Sequence, residues 1–189
     1  MPDGFRYSYI VPIPKMKNCY NKCLTCDDFR GIAISSIISK VFEHCIIKRY
    51  ESFFKTSDNQ FGFKKGVGCT YAIRSVRKVV DNYVGLANGS TANLCALDVS
   101  KAFDKVNHYA LLSKLMKKMI PRELLFLLEN WLPGCYSCVK WHSAWSEFFR
   151  LDFGVRQGSV LSPLLFALYV DDIANISKHI PGIFCVFVC

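Results

Sequence analysis

The sequence predicts an α+β fold in which an antiparallel sheet packs on helices. Three patterns favour this class: prolines that forbid helix near the N-terminus, apolar residues at helical spacing in several segments, and alternation between residues 136 and 153. The chain has 189 residues, of which 51% are hydrophobic and 14% aromatic. This composition can bury a substantial core and is not that of a disordered protein.

The first half of the chain is predicted to contain two extended segments and two helices. Two prolines exclude helix from residues 10–31, which we expect to form two short strands around a polar loop. From residue 34 to 46 apolar residues recur at helical spacing, and Ser35 or Ser36 can cap this helix. A second helix is predicted from about Thr70 to Val84, with an apolar stripe made of Ala72, Ile73, Val76, Val80 and Tyr83.

The second half opens with a short apolar run. Residues 94–97 are predicted to form a buried strand that ends on Asp98. One helix then runs to about Met119, and Pro121 starts another that ends near Trp131.

The remaining elements are predicted from turn residues and alternation. Residues 136–153 read as a β-hairpin, and a polar loop follows from Gly154 to Ser159. Pro163 opens a helix, and the run "GIFCVFVC" at residues 182–189 reads as a final buried strand.

The charge of the chain favours a polyanionic partner. Its formal net charge is +9 and its isoelectric point about 9.1, which indicates nucleic acid first and an anionic membrane surface second. No apolar run approaches the ~20 residues of a membrane span, and the first ten residues lack the apolar core of a signal peptide. We therefore expect an intracellular setting, nuclear or cytoplasmic.

The ten cysteines include two CxxC pairs, Cys23 with Cys26 and Cys135 with Cys138. This spacing occurs in zinc sites, so a zinc-dependent interaction module is one alternative. However, the two pairs are more than 100 residues apart and neither has a nearby histidine in a finger pattern. We expect ordinary reduced thiols.

Three stretches together resemble a known family. "FRGIAISSIISKVFE", "LDVSKAFDKVNH" and "GVRQGSVLSPLLF" follow one another in the order found in reverse transcriptases of non-LTR (LINE-type) retrotransposons. The resemblance runs from about Pro12 to Cys189 and implies a right-hand polymerase fold. It implies fingers over residues 1–93 and an incomplete palm over residues 94–189, without a thumb.

The resemblance also implies catalytic and nucleotide-binding residues. Asp98 matches the first catalytic aspartate, which with the backbone carbonyl of Val99 would bind Mg²⁺ in a two-metal nucleotidyl transfer. Phe103 matches the aromatic residue that excludes ribonucleotides; without the resemblance, we would interpret it as an anchor for the following helix. Further nucleotide-binding positions are implied at Arg156, Gln157, Gly158, Lys15 and Arg30.

Template contacts are implied at Lys64 and Lys65, although two solvated lysines are the alternative interpretation. By the same resemblance the partners are an RNA template, a DNA primer and deoxynucleoside triphosphates. Neither a membrane nor an obligate protein partner is inferred.

The stretch "YVDD" spells the signature of a catalytic aspartate pair at Asp171 and Asp172. A catalytic pair must lie on a tight hairpin between strands, whereas residues 163–176 have the apolar spacing of a helix. In the resembled family, the catalytic pair follows a strand similar to "GIFCVFVC", which here ends at Cys189. We therefore interpret Asp171 and Asp172 as a look-alike that is not catalytic.

These interpretations predict an RNA-directed DNA polymerase domain that is inactive as the chain is written. The resemblance implies three metal-binding aspartates, and only Asp98 matches one of them. The main alternative is a remnant that binds RNA or an RNA–DNA hybrid without catalysis.

Overall fold

A computed structural model describes residues 1–15, 23–64, 66–86, 91–173 and 182–188 of the chain. The α-helices of these residues are α1 (Ile37–Arg49), α2 (Cys69–Leu86), α3 (His108–Lys117), α4 (Arg122–Trp131) and α5 (Ser162–Val170). The strands are β1 (Tyr7–Pro14), β2 (Phe29–Ser35), β3 (Tyr136–Trp141), β4 (Ala144–Trp145) and β5 (Phe149–Arg150). Short 3₁₀ turns lie at Asp3–Phe5, Cys26–Asp28, Glu51–Phe54, Phe103–Lys105 and Leu132–Gly134. The chain is therefore a mixed α/β protein, as its sequence predicts.

The strands form one sheet in the order β2-β1-β3-β4, and β5 also pairs with β3. Strands β1 and β2 are antiparallel, but β1 and β3 are parallel, with Tyr7 opposite Tyr136 and Ile10 opposite Val139. The prediction of a purely antiparallel sheet was therefore wrong. Helices α1 to α4 separate β1 from β3 in sequence, so the chain has the long crossover connection that a parallel pair requires.

Local sequence signals set several element boundaries. Ser36 caps α1, because its hydroxyl accepts a hydrogen bond from the backbone N–H of Ser39 at 3.2 Å. Pro121 is the N-cap of α4, and Pro163 lies in the first turn of α5, as predicted. Among the described residues, no helix is both long and apolar enough to span a membrane.

The hydrophobic core draws on both halves of the chain. Ile46 and Phe54, from the first half, belong to one buried cluster with the helices α3 to α5. Its members with less than 2% of their surface exposed are Val106, Leu111, Leu115, Leu124, Leu128, Leu165 and Leu168. The sheet also combines strands from both sides of residue 93, the expected boundary between fingers and palm, since β1 precedes it and β3 follows it.

The apolar stripe of α1 is divided: Phe42 and Ile46 pack in or against the core, whereas the other apolar residues near its start face outward. Ile37 and Ile38 are 80% and 70% exposed, and Val41 is also exposed. The buried face of α1 carries the polar Ser39 and Glu43 together with Ile46. Glu43 is buried because it receives hydrogen bonds from the loop before α5, and these fix which side of α1 turns inward.

The strand predicted at residues 94–97 was wrong. These residues form neither strand nor helix, and Leu94 and Leu97 are 74% and 88% exposed. The final strand is also absent from residues 182–188, where Phe187 forms a single bridge with Gln60. A strand needs a partner strand for its backbone groups, and in the described chain neither segment supplies one to the other.

The helix predicted to start after Asp98 begins later than expected. A 3₁₀ turn at Phe103–Lys105 comes first, and α3 begins only at His108. The side chain of Asn107 accepts a hydrogen bond from Ala110 N–H at 3.0 Å and so caps α3.

Candidate functional site

Asp98 lies in the wall of an open cavity of about 1400 Å³. Its walls are one side of α2, residues 91–99 and residues 182–188, and Phe103 also lines it. The apolar stripe predicted for α2 faces this space, since Ile73, Val76, Val80 and Tyr83 belong to its wall. Asp98 itself is exposed, so its carboxylate is available to a ligand.

Phe103 packs between two other aromatic rings. It stacks on Phe166 of α5 with ring centroids 5.1 Å apart, and its edge contact with Phe63 has centroids 5.9 Å apart. The ring therefore anchors the segment after Asp98 to α5, as expected of the structural alternative. It also lines the cavity of Asp98.

The loop of residues 154–159 is hydrogen-bonded through its backbone to residues 97–108, which are called the Asp98 stretch below. Val155 N–H donates to the carbonyl of Phe103 at 2.9 Å, and Gly154 N–H donates to the carbonyl of Val106 at 2.8 Å. Gly154 has φ +84°, and a Cβ there would lie 2.9 Å from Asp104 Cα, so only glycine allows this approach. The buried His108 ring also hydrogen-bonds the carbonyl of Gly154 at 2.6 Å.

The other end of the loop joins β2. The carbonyl of Gln157 accepts a hydrogen bond from Ala33 N–H at 2.6 Å. Gly158 has φ +118°, and a Cβ there would collide with the carbonyl oxygen of Ala33. Glycine at position 158 therefore allows the loop backbone to approach β2 closely. The guanidinium of Arg156 donates to the carbonyl of Phe5 at 3.3 Å.

Glu43 holds the end of the same loop and was missed by the sequence analysis. Its Oε2 accepts hydrogen bonds from the hydroxyl of Ser159 at 2.5 Å and from Leu161 N–H at 2.8 Å. The side chain is fully buried, and its second oxygen has no partner among the described residues. The spacing of Ser36, Ser39, Glu43 and Ile46 was the available signal, since it also follows the helical period.

The cations predicted to bind nucleotide and template differ in their contacts within the protein. Lys15 donates through Nζ to the carbonyl of Asp27 at 2.7 Å, and Lys64 donates to the carbonyl of Ser57 at 2.5 Å. Arg30 is exposed and forms no ion pair with another described residue. Lys65 lies outside the described residues.

An ion pair connects the loop before β2 to the Asp98 stretch. Lys101 Nζ lies 2.6 Å from Asp27 Oδ1. The hydrogen bond and the charge of Lys101 hold the pKa of Asp27 below its ordinary value, and Asp27 in turn raises the pKa of Lys101. Both side chains are largely exposed, so this pair orients the two segments more than it stabilises the fold.

Asp171 and Asp172 follow α5 directly and face α3. The helix ends at Val170 with Asp171 as its C-terminal cap, so the prediction that the helix continues through Asp171 and Asp172 was wrong. Lys118 Nζ lies 2.7 Å from Asp171, and Lys114 Nζ lies 2.8 Å from Asp172. Neither aspartate lines the cavity of Asp98.

The described residues do not fit a complete catalytic metal site. No cluster of three or more His, Cys, Asp or Glu side chains that could hold an ion occurs within them. Asp98 and the carbonyl of Val99 would supply only part of the coordination that a divalent ion needs. The described residues contain no such cluster for zinc either. The two CxxC pairs differ in burial, since Cys23 and Cys26 are exposed whereas Cys135 and Cys138 are buried. Burial raises the pKa of the Cys135 thiol, which favours its neutral form.

Comparison with known proteins identifies the family. The family model described as "Reverse transcriptase (RNA-dependent DNA polymerase)" matches residues 13–188. The "Probable RNA-directed DNA polymerase from transposon X-element" of Drosophila melanogaster is 37% identical over 149 residues, which are 76% of this chain and 16% of that protein.

Two further relatives come from other retrotransposons. The Pol polyprotein of the type-2 retrotransposable element R2DM of Drosophila melanogaster is 28% identical over 171 residues, covering 90% of this chain and 16% of the relative. The RNA-directed DNA polymerase from mobile element jockey of Drosophila funebris is 28% identical over 157 residues, covering 80% of this chain and 17% of the relative. The chain thus spans about a sixth of the length of these curated relatives. Because the family model covers nearly the whole chain, the protein belongs to the reverse transcriptase family, as a LINE-type domain of the non-LTR retrotransposons.

Proposed function

We propose that this chain forms the fingers and part of the palm of an RNA-directed DNA polymerase, with residues 1–93 as fingers and 94–189 as palm. The observation that carries the proposal is the position of the 154–159 loop. Its backbone binds the Asp98 stretch at Phe103 and binds β2 at Ala33. Three stretches that are distant in sequence, and that carry the family resemblance, are thereby brought into contact around one loop.

In this proposal the Asp98 cavity receives the incoming nucleotide, and the 154–159 loop supports it through the hydrogen bond from Val155 N–H to the carbonyl of Phe103, which lines the cavity. Phe103 limits the space at the sugar, since a rigid ring held by Phe63 and Phe166 cannot yield to an added hydroxyl. Gln157 offers a donor and an acceptor to a base, and its backbone is fixed on β2. Arg30 is exposed on β2 and does not line this cavity, so the triphosphate role that the resemblance implies for it needs the phosphates to extend beyond the cavity wall.

The chemistry of the family requires divalent metal ions, for which we propose Mg²⁺. The described residues offer Asp98 and the carbonyl of Val99, which are too few ligands for the ions of a nucleotidyl transfer. We therefore propose that residues 1–189 alone bind RNA template, DNA primer and deoxynucleotides without joining them.

A chimaera of the X-element relative tests this function. Its 149-residue segment that aligns with this chain is replaced by the matching part of this chain, and primer extension on an RNA template is measured. We expect extension, its loss on Asp98→Asn, and retention on Asp172→Asn, which provides the matched carboxylate control. Residues 1–189 alone should give no product.

Other outcomes of the same assay distinguish the alternatives. A folded chimaera that binds template but never extends a primer would favour the non-catalytic remnant. Extension by residues 1–189 that is lost on Asp171→Asn or Asp172→Asn would make the YVDD stretch the catalytic pair and overturn the proposal.

A further inference from the structure

One face of the sheet carries a group of aromatic side chains around a lysine. We define this aromatic face by Tyr7, Tyr9, Tyr136, Trp145 and Phe148, with Lys140. Strand register places them together: Tyr7 is opposite Tyr136, and Lys140 is opposite Trp145. Ser8 and Ser137 alternate with these residues and hydrogen-bond each other at 2.7 Å on the buried side of the sheet. The aromatic face is therefore the opposite, outer side.

The rings support one another and remain accessible. Tyr7 stacks on Tyr136 with centroids 5.7 Å apart and meets the edge of Phe148 at 5.4 Å. Tyr9 meets Trp145 edge-on at 5.5 Å. Tyr7, Trp145 and Phe148 keep 46%, 55% and 59% of their surface exposed. Mutual contacts limit the rotation of these rings, so a ligand that stacks on them would lose little additional side-chain entropy.

The charge on this face selects the kind of ligand. Lys140 Nζ lies 5.0 Å from the Trp145 ring and 5.8 Å from the Tyr9 ring, and it forms no ion pair with another described residue. Further along the same face Arg30 lies opposite Ile13 and is also exposed. Flat aromatic rings interleaved with cations suit a strand with bases to stack and phosphates to neutralise.

We propose that the aromatic face is a second nucleic-acid site, which binds single-stranded RNA by stacking its bases on Trp145 and Tyr7 and its phosphates near Lys140. A duplex keeps its bases stacked inside and cannot offer them to these rings, so the site selects single strands. The choice of RNA as ligand rests on the proposed function. The site itself is separate from the Asp98 cavity, because none of its residues lines that cavity.

The test uses the 189-residue chain and a fluorescein-labelled 12-nucleotide oligouridylate, with anisotropy as readout. Trp145→Leu keeps an apolar side chain but removes the stacking surface, and we expect affinity to fall at least about fivefold. Trp145→Phe should restore most of the affinity, since a ring is kept. The matched control is Trp141→Leu, because Trp141 is 48% exposed on the adjacent position of β3 and points to the other face.

Two further measurements sharpen the test. Lys140→Gln should flatten the dependence of log affinity on log salt by about 0.7, as expected for one phosphate contact to a single strand. RNA should quench tryptophan fluorescence in a Trp141→Phe background, where Trp145 is the exposed tryptophan and Trp131 is buried.

Three results would overturn the proposal. They are unchanged RNA affinity in Trp145→Leu, an equal loss in Trp141→Leu, and no binding of the oligonucleotide in dilute buffer. If Trp145→Leu altered only the sedimentation of the chain, the face would be an interface between copies of the protein. Primer extension by the chimaera is scored separately through Asp98, so failure of the stacking site and failure of the polymerase function are distinguishable.

Discussion

Lys118, the C-terminal cap of α3, and Asp171, the C-terminal cap of α5, form an ion pair with 2.7 Å between Nζ and Oδ2, and only 7% of the Asp171 side chain is exposed. The other oxygen of Asp171 accepts a hydrogen bond from Ser57 N–H at 2.7 Å. One carboxylate thus ties α5 to α3 and to the segment that follows α1. The adjacent pair of Lys114 and Asp172 is more exposed, with 60% of the Asp172 side chain accessible. Of these two consecutive aspartates, Asp171 therefore contributes more to holding the elements together than Asp172 does.

We predict that Asp171→Asn destabilises the protein by about 1–3 kcal/mol, because a charged hydrogen-bonded pair is lost in a site with little water. Asp172→Asn is the matched control and should cost less than about 1 kcal/mol, as expected for an exposed pair. Urea unfolding of the two variants compares the costs directly. Equal costs would show that burial of Asp171 contributes nothing to its pairing.

The pairing of Asp171 also predicts a pH dependence. Burial alone would raise the pKa of Asp171, but the hydrogen bonds from Lys118 and Ser57 outweigh it and hold the pKa below the ordinary value of 3.8. A depressed pKa in the folded state stabilises the protein above the unfolded pKa, and this contribution is lost as the pH falls through the folded pKa. The difference in unfolding free energy between the wild type and Asp171→Asn should therefore be constant above about pH 5 and shrink below about pH 4. A difference that grows on acidification would contradict the depressed pKa.

The local elements were predictable because their signals are local. Prolines excluded helix from β1, Ser36 marked the start of α1, and Pro121 and Pro163 marked α4 and α5. Each of these signals acts through the backbone of its own turn. No information about distant parts of the chain is needed to interpret them.

The orientation and pairing of elements depend on distant parts of the chain. Apolar spacing in α1 predicted a helix but not which side is covered, and the hydrogen bonds from Ser159 and Leu161 turned Glu43 inward. The apolar run at 94–97 has the composition of a strand, yet composition cannot supply the partner that a strand requires. The resemblance assigns Asp98 and the 154–159 loop to the site, whereas Glu43 belongs to no chemical motif and was missed.

Glu43→Ala tests the support of the 154–159 loop from α1. The substitution leaves the Leu161 N–H and the Ser159 hydroxyl without their acceptor in a buried place, so we expect a loss of about 2–4 kcal/mol. Glu51→Ala is the control, since Glu51 is exposed in the next turn and should change stability by less than about 0.5 kcal/mol. Hydrogen exchange provides a local readout, because the Leu161 amide should exchange faster in Glu43→Ala even where global stability is retained. An unchanged Leu161 exchange rate would remove Glu43 from this role.

Gly158→Ala tests the contact between the loop and β2. A methyl group at this position meets the carbonyl oxygen of Ala33, and φ is +118°, so the loop must leave β2 and break the hydrogen bond from Ala33 N–H to Gln157. We expect a loss of at least about 2 kcal/mol, from backbone strain and steric overlap together. Gly66→Ala is the matched control: Gly66 has φ +78° but no atom within 4 Å of the added carbon, so only the conformational cost of about 1 kcal/mol should appear. If the two variants unfold at the same urea concentration, the approach of Gly158 to β2 does not determine its identity. In the chimaera, Gly158→Ala should also lower primer extension, because displacement of the loop disturbs its hydrogen bond from Val155 N–H to the carbonyl of Phe103, which lines the Asp98 cavity.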